Sequence, residues 1–172
     1  VTFSLYSKEQ SILPFDDYGA IVNECQRLGS RAAVEFGPGF TTLALFEGGC
    51  EAVYSYEYDP SWATKIFERV EPLVPYGRTW MIGMFVNEPE IRLALQNFDI
   101  ALVDSPVGGN STRRVTHAGQ EGLSRFNTLK WALYAAPVVL LHDAERPDEQ
   151  ASIEALGAKH EMLSRKVARV WR

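Results

Sequence analysis

The sequence predicts an α/β protein built on a doubly wound, mostly parallel sheet. Three observations predict it: short apolar runs alternate with amphipathic stretches along nearly the whole chain, glycine turns separate them, and the last two runs stand close enough to permit antiparallel pairing only. All 172 residues fit one domain, because a single core closes readily over ~100–200 residues. Apolar residues make up 46% and charged ones 23%, a globular balance that excludes disorder, collagen and coiled coil. Seventeen Lys and Arg stand against 22 Asp and Glu, a formal charge of −5, which argues against a broad phosphate-binding face and so against nucleic acid as a partner. No apolar run approaches the ~18–20 residues that cross a bilayer, and Val1 to Gln10 lacks a basic stretch followed by an apolar one. A cytoplasmic protein is expected, with no membrane partner. Cys25 and Cys50 form no ligand-spaced cluster, so both are expected reduced and Cys25 buried.

Tyr18, Ile21, Val22, Cys25 and Leu28 recur three or four apart, with Asp16 or Asp17 placed to cap and Gly29 to terminate: an amphipathic helix. Ala32 to Phe36 is a strand halted by Gly37-Pro38-Gly39, and Phe40 to Glu47 a helix closed by Gly48-Gly49. The unit repeats. Ala52 to Tyr56 is a strand, Asp59 caps with Pro60 in the first turn, and Trp62, Ile66, Phe67 and Val70 mark a helix face ended by Pro72 and Pro75. Thr79 to Ile82 is a third strand, Pro89 to Gln96 a short helix, and Ile100 to Val103 a strand buried on both faces that runs into Asp104. After the polar stretch Ser105 to Gly119, Leu123, Phe126, Leu129 and Leu133 form a helix, Val138 to Leu141 a strand, and Asp148 to Leu156 a helix stopped by Gly157. Glu161 to Leu163 and Val167 to Trp171 close the chain as a hairpin. Basic residues from Arg165 to Arg172 alternate with Val167, Val170 and Trp171, as on the exposed face of an edge strand.

Ligands of such sheets bind outside the carboxyl ends of the strands, where strand order reverses. The first strand delivers Glu35-Phe36-Gly37-Pro38-Gly39 directly before a helix. Glycine permits a sharp turn and a close ligand approach, and the helix start offers free N–H groups. Thr42 stands where a dinucleotide fingerprint wants its third glycine, and the Gly-Lys-Ser/Thr of a P-loop is absent. The second strand ends in Tyr56-Glu57-Tyr58-Asp59. A carboxylate ~20 residues past a glycine turn accepts both hydroxyls of a ribose, and Glu57 is the choice because Asp59 before Pro60 is a helix cap. The fifth strand runs into His142-Asp143, an imidazole beside a carboxylate at the mouth of the sheet, suited to general-base work or to tying strand end to loop.

Through Val34-Glu35-Phe36-Gly37-Pro38-Gly39, Glu57 and Phe98-Asp99-Ile100-Ala101-Leu102-Val103-Asp104, the sequence resembles the class I S-adenosylmethionine-dependent methyltransferases. The order of elements matches over nearly the whole chain, hairpin included. The resemblance implies a seven-stranded sheet in the order 3-2-1-4-5-7-6 and S-adenosyl-L-methionine as cofactor. It implies Glu35, Gly37 and Gly39, followed by Thr42, around the methionine part, Glu57 on the ribose, and Asp104 near the sulfonium. Where many members carry an acid for the adenine amine, Gly83-Met84-Phe85 stands here, which leaves the adenine to apolar packing at Met84 and to backbone contacts. Members that use Mg²⁺ supply an Asp after the fourth strand and an Asp-Asn pair after the fifth. Asp104 and Asp143 match, but Ala144 replaces the Asn, and no metal is expected.

The reading is a methyltransferase acting on an oxygen, less favourably a nitrogen, of a small molecule or sugar. Asp104, His142 and Asp143 are the candidates for orienting the acceptor and removing its proton, with His117 as an alternative from the loop. Ser105 to Gly119 exceeds the usual connection and reads as a substrate lid, in which Arg113 and Arg114 would clamp an anionic or polyhydroxylated acceptor. With no insertion large enough to form a substrate domain, a second copy in a homo-oligomer is a candidate to complete the site. Two other classes stay open: an NAD(P)-dependent oxidoreductase, disfavoured by the missing third glycine and the hairpin, and a non-catalytic module binding a nucleoside or a partner protein.

Overall fold

A computed structural model describes residues 2–7, 13–84, 97–105 and 125–172. The elements run α1 (Phe15–Leu28), β1 (Ala32–Phe36), α2 (Phe40–Glu47), β2 (Ala52–Glu57), α3 (Pro60–Val70), a 3-10 turn (Glu71–Leu73), β3 (Thr79–Met84), β4 (Ile100–Val103), α4 (Phe126–Ala135), β5 (Val139–Leu141), α5 (Pro147–Ala155), β6 (Lys159–Met162) and β7 (Ala168–Trp171). The helix expected over Pro89 to Gln96 lies outside the described residues.

Seven strands form one sheet in the order β3-β2-β1-β4-β5-β7-β6. β1 pairs in parallel with β2 and β4, β2 with β3 and β4 with β5, while β7 runs antiparallel to both β5 and β6. This is the expected doubly wound, mostly parallel sheet with its closing hairpin. Alternate residues feed two cores. Ala33, Val53, Ile100, Leu102 and Leu140 face α1, α2 and α3; Val34, Phe36, Ala101, Val103, Val139 and Leu141 face α4 and α5. Helices on both faces explain why β4 and β5 are apolar at every position, since neither side meets water.

Two expectations need correction. Neither Asp16 nor Asp17 caps α1. Pro14 occupies the cap position with φ −58°, and both acids lie in the first turn, where they oppose the helix dipole favourably. Asp17 turns inward and is buried. The basic C-terminal stretch is not an edge either. β7 lies between β5 and β6, and Arg169 pairs with Glu24 of α1 and with Glu161 of β6. The edge is β6, exposed along its length. Asp59, by contrast, caps α3 as expected, accepting from Ser61 N at 2.8 Å and Trp62 N at 3.3 Å.

Gly29 ends α1 in the left-handed conformation, φ 63°, which glycine adopts without strain. Cys25 and Cys50 are free and buried. His160 is exposed. The segment 2–7 straps the outer face of α1, with the Phe3 and Tyr6 rings against Phe15 and Tyr18. Glu47 at the end of α2 ties it down, accepting from Leu5 N and the Tyr18 hydroxyl. Among the described residues no helix is long and apolar enough to cross a membrane.

Candidate active site at the strand ends

A cavity of about 310 Å³ opens at the carboxyl ends of β1, β2, β4 and β5, the point where strand order reverses. Gly37, Pro38 and Gly39 form its floor, Glu57 and Tyr58 one side, and Asp104, Ser105 and His142 the other. Its volume is at the lower end of the ~300–1,000 Å³ typical of small-molecule sites.

The floor is built by a buried carboxylate. Glu35 ends fully buried beneath the glycine turn, where Thr41 Oγ1 (2.5 Å), Thr42 Oγ1 (2.7 Å) and Ser55 Oγ (2.8 Å) donate to it. The Thr42 hydroxyl also accepts from Gly39 N–H at 3.2 Å, so one side chain ties the turn to β1 and the start of α2. Burial pushes the Glu35 carboxyl up to about 7, against the three hydroxyls that favour its charge. Glu35 and Thr42 therefore shape the floor from below and do not line the cavity. Gly37 has φ 89°, and a Cβ there would lie 2.5 Å from the Ser105 Cβ. The turn and the end of β4 touch without room for a side chain.

Glu57 lines the cavity although its side chain is almost wholly buried. Its Oε1 accepts from Tyr58 N (2.7 Å) and Asp59 N (3.0 Å). No donor among the described residues reaches Oε2. Burial raises this carboxyl, and the two amides hold the rise down. Above it Trp62 and Ile66 of α3 add an apolar wall, with Leu13 from before α1, and Trp62 Nε1 donates to Pro38 O at 3.3 Å. Met84 lies at the end of β3, partly exposed, and is not part of the described lining.

On the far side, His142 Nδ1 lies 2.9 Å from Asp104 Oδ1. Burial pulls the imidazole pKa down, but the bond to Asp104 and the charges of Asp104 and Asp143 outweigh it, and the net shift is upward. Asp143 does not line the cavity. Its Oδ2 pairs with Arg146 Nη2 (2.9 Å) and Arg125 Nη2 (3.3 Å), and its Oδ1 with Lys166 Nζ (3.7 Å). Arg125, buried just before α4, joins the whole group. Its Nη1 donates to His142 O (2.5 Å), its Nη2 lies 3.3 Å from Asp104 Oδ1, and its Nε lies 3.7 Å from Glu149 Oε1.

Asp104, His142 and Asp143 bring ligand atoms within 4.8 Å of one another, the spacing a metal ion requires. The charges do not suit one. A guanidinium bridges the two carboxylates, Arg146 and Lys166 add two more cations at Asp143, and buried Ala144 offers no donor where an amide would complete the set. His117, Arg113 and Arg114, and with them all of the expected lid but Ser105, lie outside the described residues. Sequence reading missed Asp17, Trp62 and Arg125. Of these only Trp62 carried a signal, as a large aromatic in the first turn of a helix leaving a strand end.

No family model and no curated protein matches the sequence. Solved structures do match. The O-methyltransferase of Bacillus cereus in complex with SAH superposes with a TM-score of 0.64 at 14% identity, over 95% of this chain and 83% of that one. This chain has the class I methyltransferase fold. An SAH-bound methyltransferase of Podospora anserina follows at 0.62 and 13%, over 90% of this chain and 77% of that one. The precorrin-6y C5,15-methyltransferase of Geobacter metallireducens gives 0.59 and 12%, over 95% and 89%. The reactions named differ on one methyltransferase fold, as expected where acceptor choice resides in loops.

Proposed function

We propose that the protein binds S-adenosyl-L-methionine and transfers its methyl group to an oxygen, or less favourably a nitrogen, of a small molecule or sugar. One observation carries the reading: in this fold, next to the Gly37-Pro38-Gly39 turn, Glu57 presents a carboxylate with one oxygen fixed by two amides and the other without a described donor. The second oxygen, with its two lone pairs, can accept from ribose hydroxyls. Gly37 and Gly39 would border the methionine part, and Tyr58, Trp62 and Ile66 offer the apolar surface on which an adenine packs in place of an acid.

Bound S-adenosylmethionine supplies a methyl carbon already activated by its sulfonium, so the protein has to align the acceptor and take its proton. Asp104 suits the second task. It borders the cavity, its Oδ1 is committed to His142 and Arg125, and its Oδ2 has no described partner. His142 fixes that carboxylate, and Asp143, surrounded by cations, anchors the loop that carries His142.

Calorimetry tests the cofactor. Heat is expected with S-adenosylmethionine and S-adenosylhomocysteine and not with NAD or NADP; no heat with the first pair at concentrations that detect ~100 μM binding, about −5.5 kcal/mol, overturns the reading. Glu57→Ala should weaken binding roughly 10- to 100-fold, the worth of one or two charged hydrogen bonds. Glu57→Gln keeps an acceptor for the Tyr58 and Asp59 amides and separates ribose binding from loop integrity. Transfer is expected to survive EDTA, because a guanidinium holds the position between Asp104 and Asp143. Loss of activity restored by Mg²⁺ would show instead that the ion displaces Arg125.

A further inference from the structure

Asp17 is a buried carboxylate in the first turn of α1, where an exposed acid would serve the helix dipole equally well. It does not cap α1, and 2% of its surface is exposed. Its Oδ1 accepts from the Ser164 hydroxyl of the β6–β7 turn at 2.6 Å, which fixes the side chain from a second element. Its Oδ2 lies 3.7 Å from His142 Nε2, the only ion-pair partner it has among the described residues. That nitrogen is buried and has no hydrogen-bond partner among the described residues, while Nδ1 on the opposite edge of the ring meets Asp104 at 2.9 Å. The imidazole is thus held between two carboxylates.

We infer that Asp17 is a positioning residue: it fixes His142 with protons on both ring nitrogens, so that the imidazolium orients Asp104 and does not itself serve as the base. A neutral ring would fit poorly. With Nδ1–H given to Asp104, a bare Nε2 lone pair would face the Asp17 carboxylate across 3.7 Å, and that carboxylate would be a buried charge without a cation, a costly state. A proton on Nε2 removes both penalties. The other charged groups around the ring agree in sign. Asp143 Oδ2 lies 3.7 Å from Nδ1 and favours the cation. Arg125 opposes it, but binds the His142 carbonyl and both Asp104 and Asp143, and Arg146 and Lys166 are spent on Asp143. α1 thus contributes, through Asp17, to the group of charges behind the strand ends.

The state of the ring is independent of the methyltransferase reading; its consequence for turnover rests on that reading. NMR of the uncomplexed protein separates the two. The ring ¹⁵N shifts of His142, assigned against His117→Gln and His160→Gln, should show both nitrogens protonated near pH 6.5. A neutral tautomer there overturns the inference without any variant of Asp17. In Asp17→Asn the His142 titration should fall by roughly one pH unit, since a carboxylate within ~4–6 Å raises an imidazole by about that much or more. A midpoint that does not move in the folded variant overturns it as well. Given a working acceptor, the active form needs the imidazolium, so activity is lost as pH rises through the His142 midpoint. This basic limb of kcat should move down by the same unit in Asp17→Asn, with cofactor affinity unchanged. A purely structural role would lower kcat at every pH and leave the limb in place.

Discussion

Arg125→Met is expected to lower the melting temperature by roughly 10 °C. The guanidinium is 2% exposed and sits among Asp104, Asp143 and Glu149. Removing one partner of a buried ion pair costs about 3–5 kcal/mol, because the charge left behind has lost its water and gained nothing. At roughly 2–4 °C per kcal/mol for a chain of this size, that gives the stated shift. The loss falls unevenly. Asp143 keeps Arg146 and Lys166, and Asp104 keeps His142. Glu149 is stranded: it is fully buried, and among the described residues neither oxygen has a hydrogen-bond partner and Arg125 is the cation paired with it. Burial already raises the Glu149 carboxyl, with the Arg125 charge as the chief restraint. In the variant this carboxyl rises further, so the folded state binds a proton that the unfolded state releases, and stability falls as pH rises. The deficit against wild type should therefore be larger at pH 8 than at pH 5. Thermal melts at the two values check both size and sign, and Arg125→Lys, with a charge but no fork to reach His142 O and two carboxylates together, should recover only part. A Met variant that melts within a degree or two of wild type would show that the cluster contributes nothing to stability.

The parts of this site that sequence reading reached are those made by neighbours in the chain. Glycine after a strand, an acid at the next strand end, and Asp59 before Pro60 are local patterns, and each maps onto the observed turn, cavity wall and helix cap. Arg125, Asp17 and Glu149 belong to another kind of order. They meet Asp104, Asp143 and His142 only because strand ends and three helices converge, α1, α4 and α5, and nothing within a few residues of any of them reports it. The sequence offers Asp16 or Asp17 as a cap because acids are favoured there; Pro14, which fixes its own φ and lacks an N–H, takes the cap position instead, and the Asp17 side chain turns inward. The inner position of β7 is hidden from the sequence for a related reason. Alternating Arg and Val report that one face of a strand is polar, and that says nothing of which edge is free. The polar face here is covered by partners, Glu24 and Glu161 on Arg169, rather than by water.

Gly37→Ala is expected to reduce stability by about 2–5 kcal/mol and to abolish cofactor binding, while Gly39→Ala should leave the fold intact. The two glycines stand two residues apart but for different physical reasons. Gly37 has φ 89°, a region that costs an L-residue roughly 1–2 kcal/mol. Its missing Cβ would also lie 2.5 Å from Ser105 Cβ, 3.0 Å from Ser105 N and 3.1 Å from the Asp104 carbonyl carbon. Those last two are backbone and cannot rotate away. Relief requires the end of β4 to move, against the bonds from Gly37 N to Tyr56 O (2.9 Å) and Asp104 N to Phe36 O (2.8 Å) that hold the strand ends level. Overpacking of this kind adds about 1–3 kcal/mol, and the displaced residue is Asp104, so the cavity floor and its far wall are lost together. Gly39 has φ −176°, extended backbone open to any residue, and the nearest atom to an added Cβ is Thr41 Oγ1 at 4.0 Å. A methyl group there fits the protein but projects from the floor of the cavity. Urea unfolding should find Gly39→Ala within about 0.5 kcal/mol of wild type, the range of surface exchanges, with calorimetry showing weakened S-adenosylhomocysteine binding. Equal, unweakened binding in Gly39→Ala would mean that the ligand does not approach the turn closely, and would move the methionine part of the cofactor away from these glycines.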